Sequence, residues 1–166
     1  MDAKLMAHLK GHRIFAALSP MEQETLANAG MVLYLQAGAT LFSEGERADG
    51  FYVLLEGALD VVVDDKVLAT IPAGEVVGEM GLVTADRRSA TIRVSSAGSV
   101  WHLGGRAFEG LLQAGDPMAT GILLGIARDL GRRFRDVVNE AAHLVPNVAM
   151  RKGGAELLER LQWGEM

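Results

Sequence analysis

Apolar positions change their spacing twice along the chain, and the changes divide it into three stretches. Residues 3–29 carry apolar side chains at helical spacing, and predict two helices. Ser19-Pro20-Met21-Glu22 marks the start of the second: a capping box with proline at the first helical position. Ile14, Phe15 and Leu18 precede it and suit a hydrophobic staple and core contact.

From 31 to 103 the apolar positions gather into short β-branched runs parted by glycine and acidic turn residues. The runs are Met31–Leu35, Phe51–Leu54, Leu59–Val63, Val67–Ile71, Ala90–Val94 and Val100–Leu103. Asp64-Asp65 between two of them reads as a tight hairpin turn. Helical spacing returns after 104: a short helix over Gly105–Leu112, then a long one opened by Asp116 as N-cap with Pro117 just inside. It is expected to run to about His143 and to stop before Pro146. Helices, then many short strands, then helices give an α+β fold. The expectation is an antiparallel, jelly-roll-like β-roll flanked by N-terminal helices and a long C-terminal helix. Residues 1–143 form the domain, and 144–166 a short tail with Gly153-Gly154 and an amphipathic stretch Ala155–Trp163.

Composition narrows the chemistry. There is no cysteine, which excludes disulfides, thiolate metal sites and a cysteine nucleophile. The histidines are His8, His12, His102 and His143, and only His102 lies within the roll, too few for a metal-dependent cupin-type centre. No metal, cofactor or catalytic group is expected, and no nucleoside-triphosphate loop or nucleophile elbow occurs. Asp2, Lys4, His8 and Lys10 interrupt the first apolar runs, leaving no signal-peptide core, and no run approaches a membrane span; a cytoplasmic location is expected. The net charge of −5 argues against a nucleic-acid-binding surface, and means that an anionic ligand must be captured locally.

One stretch carries a pattern suited to that: Gly78-Glu79-Met80-Gly81-Leu82-Val83-Thr84-Ala85-Asp86-Arg87-Arg88-Ser89-Ala90-Thr91. A glycine precedes a helix-compatible run, Met80–Thr84, then a turn and a strand beginning near Arg88. A helix start offers unpaired N–H groups to phosphate. Gly78 and Gly81 let backbone approach a ligand closely. Arg88 has the fork to donate two parallel hydrogen bonds to phosphate oxygens, and an ionised Glu79 accepts from a hydroxyl. On chemistry alone an ordinary surface turn with a Glu–Arg pair fits equally well.

The same stretch resembles the phosphate-binding cassette of the cyclic nucleotide-binding domain family, which includes catabolite activator protein, protein kinase A regulatory subunits and cyclic-nucleotide-gated channels. Gly78, Glu79, Leu82, Arg88, Ser89, Ala90 and Thr91 carry the pattern. Upstream, residues 38–57 are similar to the family's opening strands, through Leu41-Phe42, Glu44-Gly45, Asp49, Phe51-Tyr52 and Gly57. The resemblance spans about residues 10–143. It implies a sensor rather than an enzyme, with cAMP or cGMP as ligand. By it, Glu79 takes the ribose 2′-OH and Arg88 an exocyclic phosphate oxygen, while Gly78, Met80, Gly81, Leu82, Ser89 and Ala90 line the site. Ser89 is compatible with either nucleotide, and cAMP is the expectation. Arg87 is read as solvated.

In the family the last helix moves on binding. Here Leu123, Ala127, Leu130, Phe134, Val137, Ala141 and Leu144 form a heptad seam, beside a second line of Met118, Ile122 and Ile126. Two placements are open: both lines pack on the roll, or the distal part forms a seam for a homodimer or protein partner while the proximal line faces the roll. Arg128, Arg132, Arg133 and Arg135 are read as a solvated face. A regulatory fragment of a larger transcription regulator or channel, and a non-binding interaction scaffold, are the alternatives to a stand-alone sensor.

Overall fold

The structure, a computed structural model, describes residues 3–84 and 87–144, without the side chains of Leu82, Thr84 and residues 141–144. The chain divides after Asp129 into two compact units. The second begins at Leu130, within the last helix.

Helix α1 (Ala3–Gly11), a 3₁₀ turn (Arg13–Phe15) and helix α2 (Pro20–Ala29) form the N-terminal segment. The turn is additional to the two expected helices; the His12 side chain caps it by accepting from Ile14 N–H. The Ser19–Glu22 capping box of α2 is present in full, with Pro20 inside it.

The strands are β1 (Met31–Leu35), β2 (Thr40–Phe42), β3 (Gly50–Val63), β4 (Lys66–Pro72), β5 (Val76–Val77) and β6 (Thr91–Gly104), all paired antiparallel in the order β1-β6-β3-β4. The four runs expected as separate strands in β3 and β6 are two long continuous ones. Bulges between Leu54 and Leu59 shift their mutual register, and Gly57 there adopts φ +88°. Each strand therefore bends in the middle and serves two leaves of the roll. The first half of β3 pairs β5 and its second half β4; β6 pairs β2 through Ile92 and Arg93, and β1 through Gly98–His102. The expected Asp64-Asp65 turn joins β3 to β4, with both aspartates at positive φ (48° and 60°) and Val63 facing Lys66. Aspartate tolerates that backbone better than most residues.

Alternation along the strands sorts the core. Phe42, Tyr52, Leu54, Leu59, Val77, Ile92, Val94 and Val100 pack together inside the roll. The intervening Phe51 meets Phe15 of the 3₁₀ turn, Trp101 of β6 and Phe108 of α4 (Gly105–Gln113). Helix α5 (Pro117–Leu144) starts with Asp116 Oδ1 accepting from Met118 N–H at 2.8 Å. In the first unit its buried face is Met118, Ala119, Ile122 and Ile126, and the Arg13 guanidinium pairs with the buried Asp129 carboxylate. The line Met118, Ile122, Ile126 thus packs within its own chain, as both open placements of the helix had it. In the second unit Phe134, Val137 and Val138 are exposed, and Arg132 pairs with Asp136 at 3.2 Å. Ala141 and Leu144 of the seam lie outside the described side chains, and residues 145–166, nearly all of the expected tail, lie outside the described residues.

Two glycines of α5 should respond oppositely to alanine. A Cβ at Gly125 would land on the Ile14 carbonyl, whereas among the described residues nothing lies within 4 Å of one at Gly131. Gly125→Ala is expected to cost about 1–3 kcal/mol through overpacking. Gly131→Ala is expected to gain roughly 0.5–1 kcal/mol of helix propensity. Urea denaturation of the two variants should show midpoints displaced in opposite directions.

Candidate functional site

Backbone pairing sets the site. The segment 44–47 runs antiparallel to the start of β6: Gly45 N–H donates to Arg88 O and Arg88 N–H to Glu46 O, each at 2.8 Å, and Glu44 N–H donates to Thr91 Oγ1 at 2.9 Å. Arg47 and Arg87 form a single bridge pair. The strand proper begins at Thr91 rather than near Arg88, because this loop pairing replaces the sheet ladder there. Helix α3 (Met80–Thr84) lies where the sequence places it.

This frame turns the Arg88 side chain inward, leaving it 2% exposed. Its Nη2 donates to Asp49 Oδ1 at 2.6 Å and to Gly50 O at 3.0 Å; Nη1 donates to Gly78 O at 3.0 Å. The guanidinium carbon stands 4.0 Å above the centre of the Phe42 ring, a cation–π contact. Arg88 Nε is buried with no hydrogen-bond partner among the described residues. A buried guanidinium N–H without an acceptor is costly, and it marks a position prepared for one. Gly78 adopts φ +80°, and a side chain there would collide with Arg88 Nη1, so glycine is required twice over. Gly81 packs its bare Cα against Ala48, with Arg88 Nη1 3.8 Å from where its Cβ would be.

Of the other residues expected here, Glu79 is buried beside Gly78. Ser89 is exposed, Ala90 half-buried and Met80 43% exposed at the start of α3. Leu82 lies in α3, but its side chain is outside the described set. Arg87 is exposed as expected, yet it is not free in water: its Nη1 donates to Gly45 O at 2.7 Å. Asp49, Phe42 and Tyr52, which shape the setting of Arg88, carry the resemblance of the opening strands but were not placed in the site by the sequence reading. The sequence signal for Asp49 is its place in that opening-strand pattern, two residues before Phe51-Tyr52.

Tyr52 donates from its hydroxyl to Asp49 at 3.3 and 3.4 Å, and burial, then the Asp49 charge, raise its pKa to about 12. Its ring stacks on His102, centroids 4.4 Å apart and planes 18° from parallel. Burial lowers the pKa of His102 from 6.5, against Asp49, which raises it. Burial likewise lowers His12, against the facing Glu75 carboxylate. A histidine with a depressed native pKa takes up its proton more readily unfolded. Their stability contribution is therefore complete above the ordinary value near 6.5 and is lost as pH falls through the lowered native values. The unfolding midpoint in urea should fall on acidification from pH 7.5 through pH ~5.5, less steeply in His12→Gln.

The β-roll thus buries an arginine fork between a carboxylate and a glycine-bounded turn. Residues 32–114 match the cyclic nucleotide-binding domain family, and the chain belongs to it. A protein of Mycobacterium tuberculosis is 42% identical over 96 residues, 58% of this chain and 19% of that protein. The chain thus spans about a fifth of the length of that relative. The solved N-terminal domain of a transcriptional regulator from Streptomyces coelicolor is 29% identical, with a TM-score of 0.66 over 79% of this chain and 94% of that one. A cyclic nucleotide-binding domain from Methylobacillus flagellatus superposes at a TM-score of 0.74 over 89% of this chain and 85% of its own, at 20% identity. The expected family and the α+β β-roll are both borne out.

Proposed function

We propose that the chain is a non-enzymatic cyclic nucleotide sensor that takes cAMP in preference to cGMP. The observation that carries this is the Arg88 guanidinium, buried, oriented by Asp49 and two carbonyls, with Nε meeting no acceptor among the described residues. A cyclic phosphodiester supplies one negative charge and two exocyclic oxygens, which suits that N–H. In this reading Arg88 Nε holds an exocyclic phosphate oxygen. Backbone amides from Gly78 to Gly81, with Ser89 and Ala90, surround the cyclic phosphate, and Glu79 accepts from the ribose 2′-OH. The ligand needs no metal or cofactor beside it; among the described residues no cluster of three metal-ligating side chains occurs. Among them, too, no helix is long and apolar enough to cross a membrane, and we place the sensor in the cytoplasm.

Signalling is assigned to α5. Its first turns pack through Met118 and Ile122, while Phe134, Val137 and Val138 further along are exposed and suit a second copy or a protein partner, without direct nucleic-acid contact. The longer relative, of which the match covers 19%, also supports a second reading, the same sensor working as the regulatory part of a longer protein.

Calorimetric titration with cAMP, cGMP and a cyclic dinucleotide side by side tests the proposal. Saturable heat with a monocyclic nucleotide, strongest for cAMP, is expected. Absence of heat and of a thermal shift with all three would sink it.

A further inference from the structure

Behind the arginine fork lies a chain of contacts that the ligand itself does not need to touch. Asp49 is the charged partner of Arg88, yet its side chain is 64% exposed, while that of Arg88 is 2% exposed. An exposed carboxylate turns freely unless something fixes it, and a freely turning partner would leave the buried guanidinium in several orientations. The hydroxyl of Tyr52 reaches both carboxylate oxygens, at 3.3 and 3.4 Å. Gly105 N–H holds the Asp49 carbonyl at 2.7 Å, which fixes the backbone but leaves the carboxylate to Tyr52.

Tyr52 is itself held. On one side its ring packs on Phe42, 5.8 Å between centroids, and on the other it lies flat on His102. Tyr52 and His102 are direct cross-strand partners on β3 and β6, the geometry in which aromatic pairs interact best. His102 Nε2 is buried without a hydrogen-bond partner among the described residues and lies 2.6 Å from where a Cβ on Gly50 would be. The imidazole thus lies beside Gly50, which together with Asp49 supplies two of the three acceptors of Arg88.

We infer that His102 is a positioning residue for ligand binding: stacked on Tyr52, it aims the phenol at Asp49, and Asp49 then presents Arg88 to the phosphate in one orientation. This rests on the reading of Arg88 as the phosphate-binding group. It adds a residue outside the cassette, on the strand that leads into α4.

The test is a double-mutant cycle read by cAMP affinity, with unfolding midpoints as a control for folding. Tyr52→Phe keeps the stack and removes the hydroxyl; His102→Leu keeps bulk and removes the flat partner. Each alone should weaken binding about five- to tenfold, the loss expected of one hydrogen bond to a charged group. Because they act through the same carboxylate, His102→Leu introduced into Tyr52→Phe should cost less than about twofold more. A full additional loss in that background, or no loss from either single change, overturns the inference, since mere packing would be additive. A second readout needs no ligand. In protein labelled with ¹⁵N-arginine, rotation about the Arg88 Cζ–Nη bonds should be several-fold faster in both single variants than in the parent, and equal rates would overturn the inference. If the parent protein binds neither cAMP nor cGMP, the ligand assignment fails, and the rotation rates alone decide whether His102 and Tyr52 hold Arg88.

Discussion

Arg88→Ala should abolish most of the affinity for cyclic nucleotide, by tenfold at the least and by up to about a thousandfold. Truncating one partner of a buried, hydrogen-bonded charge pair costs about 2–5 kcal/mol, and each 1.4 kcal/mol is tenfold in affinity. The loss has two parts. The phosphate forfeits its charged donor, and Gly78 O and Gly50 O forfeit a hydrogen bond, so the turn that shapes the site loosens too. Arg88→Lys separates charge from geometry. An ammonium keeps the charge, but it cannot serve two carbonyls, a carboxylate and a phosphate in the plane a guanidinium does. It should bind nearly as poorly as alanine. Arg87→Ala is the internal control: that side chain is exposed and donates to the Gly45 carbonyl, so affinity should stay within about twofold, as usual for a surface change. Calorimetry on the three variants, with circular dichroism to confirm folding, is sufficient.

The second large effect concerns the scaffold. Phe51→Ala should lower unfolding stability by about 3–5 kcal/mol, the range for removing a fully buried aromatic. Phe51 is 0% exposed, and its ring meets Phe15 at 6.2 Å, Trp101 at 5.9 Å and Phe108 at 6.4 Å. It therefore joins the N-terminal turn, β6 and α4 at one point, and its loss leaves a cavity that three separate elements border. A urea midpoint displaced to lower concentration with an unchanged slope would show lost stability without a change of native compactness. A loss below about 1 kcal/mol would mean that the neighbours collapse into the gap.

Local chemistry decides which features could be read from the sequence. The α2 cap, the Asp64-Asp65 turn, α3 and the start of α5 were legible because each depends on residues a few positions apart. Strand continuity was not. Gly57 and the serine- and alanine-rich stretch 95–97 break the apolar pattern of β3 and β6, and only the pairing between the two strands shows that the chain runs on through the bulges. The two-residue strand β5 is too short to carry a period of its own. In the site, Gly78 and Arg88 were legible through the family pattern, and the structure adds the reason: the one would collide with the other if it bore a side chain. Asp49 stands 39 positions before its arginine, and His102 touches Tyr52 only because the register of β3 and β6 sets them side by side. No spacing in the sequence encodes either contact.

The decisive measurement is the ¹⁵N–¹H resonance of Arg88 Nε, followed as cAMP is added to arginine-labelled protein. With the phosphate seated on that N–H, the signal should move downfield, exchange more slowly with water and show a scalar coupling to phosphorus, in step with the calorimetric isotherm. Saturable cAMP binding that leaves the Arg88 Nε signal where it was would contradict the account, because the nucleotide would then be held somewhere else.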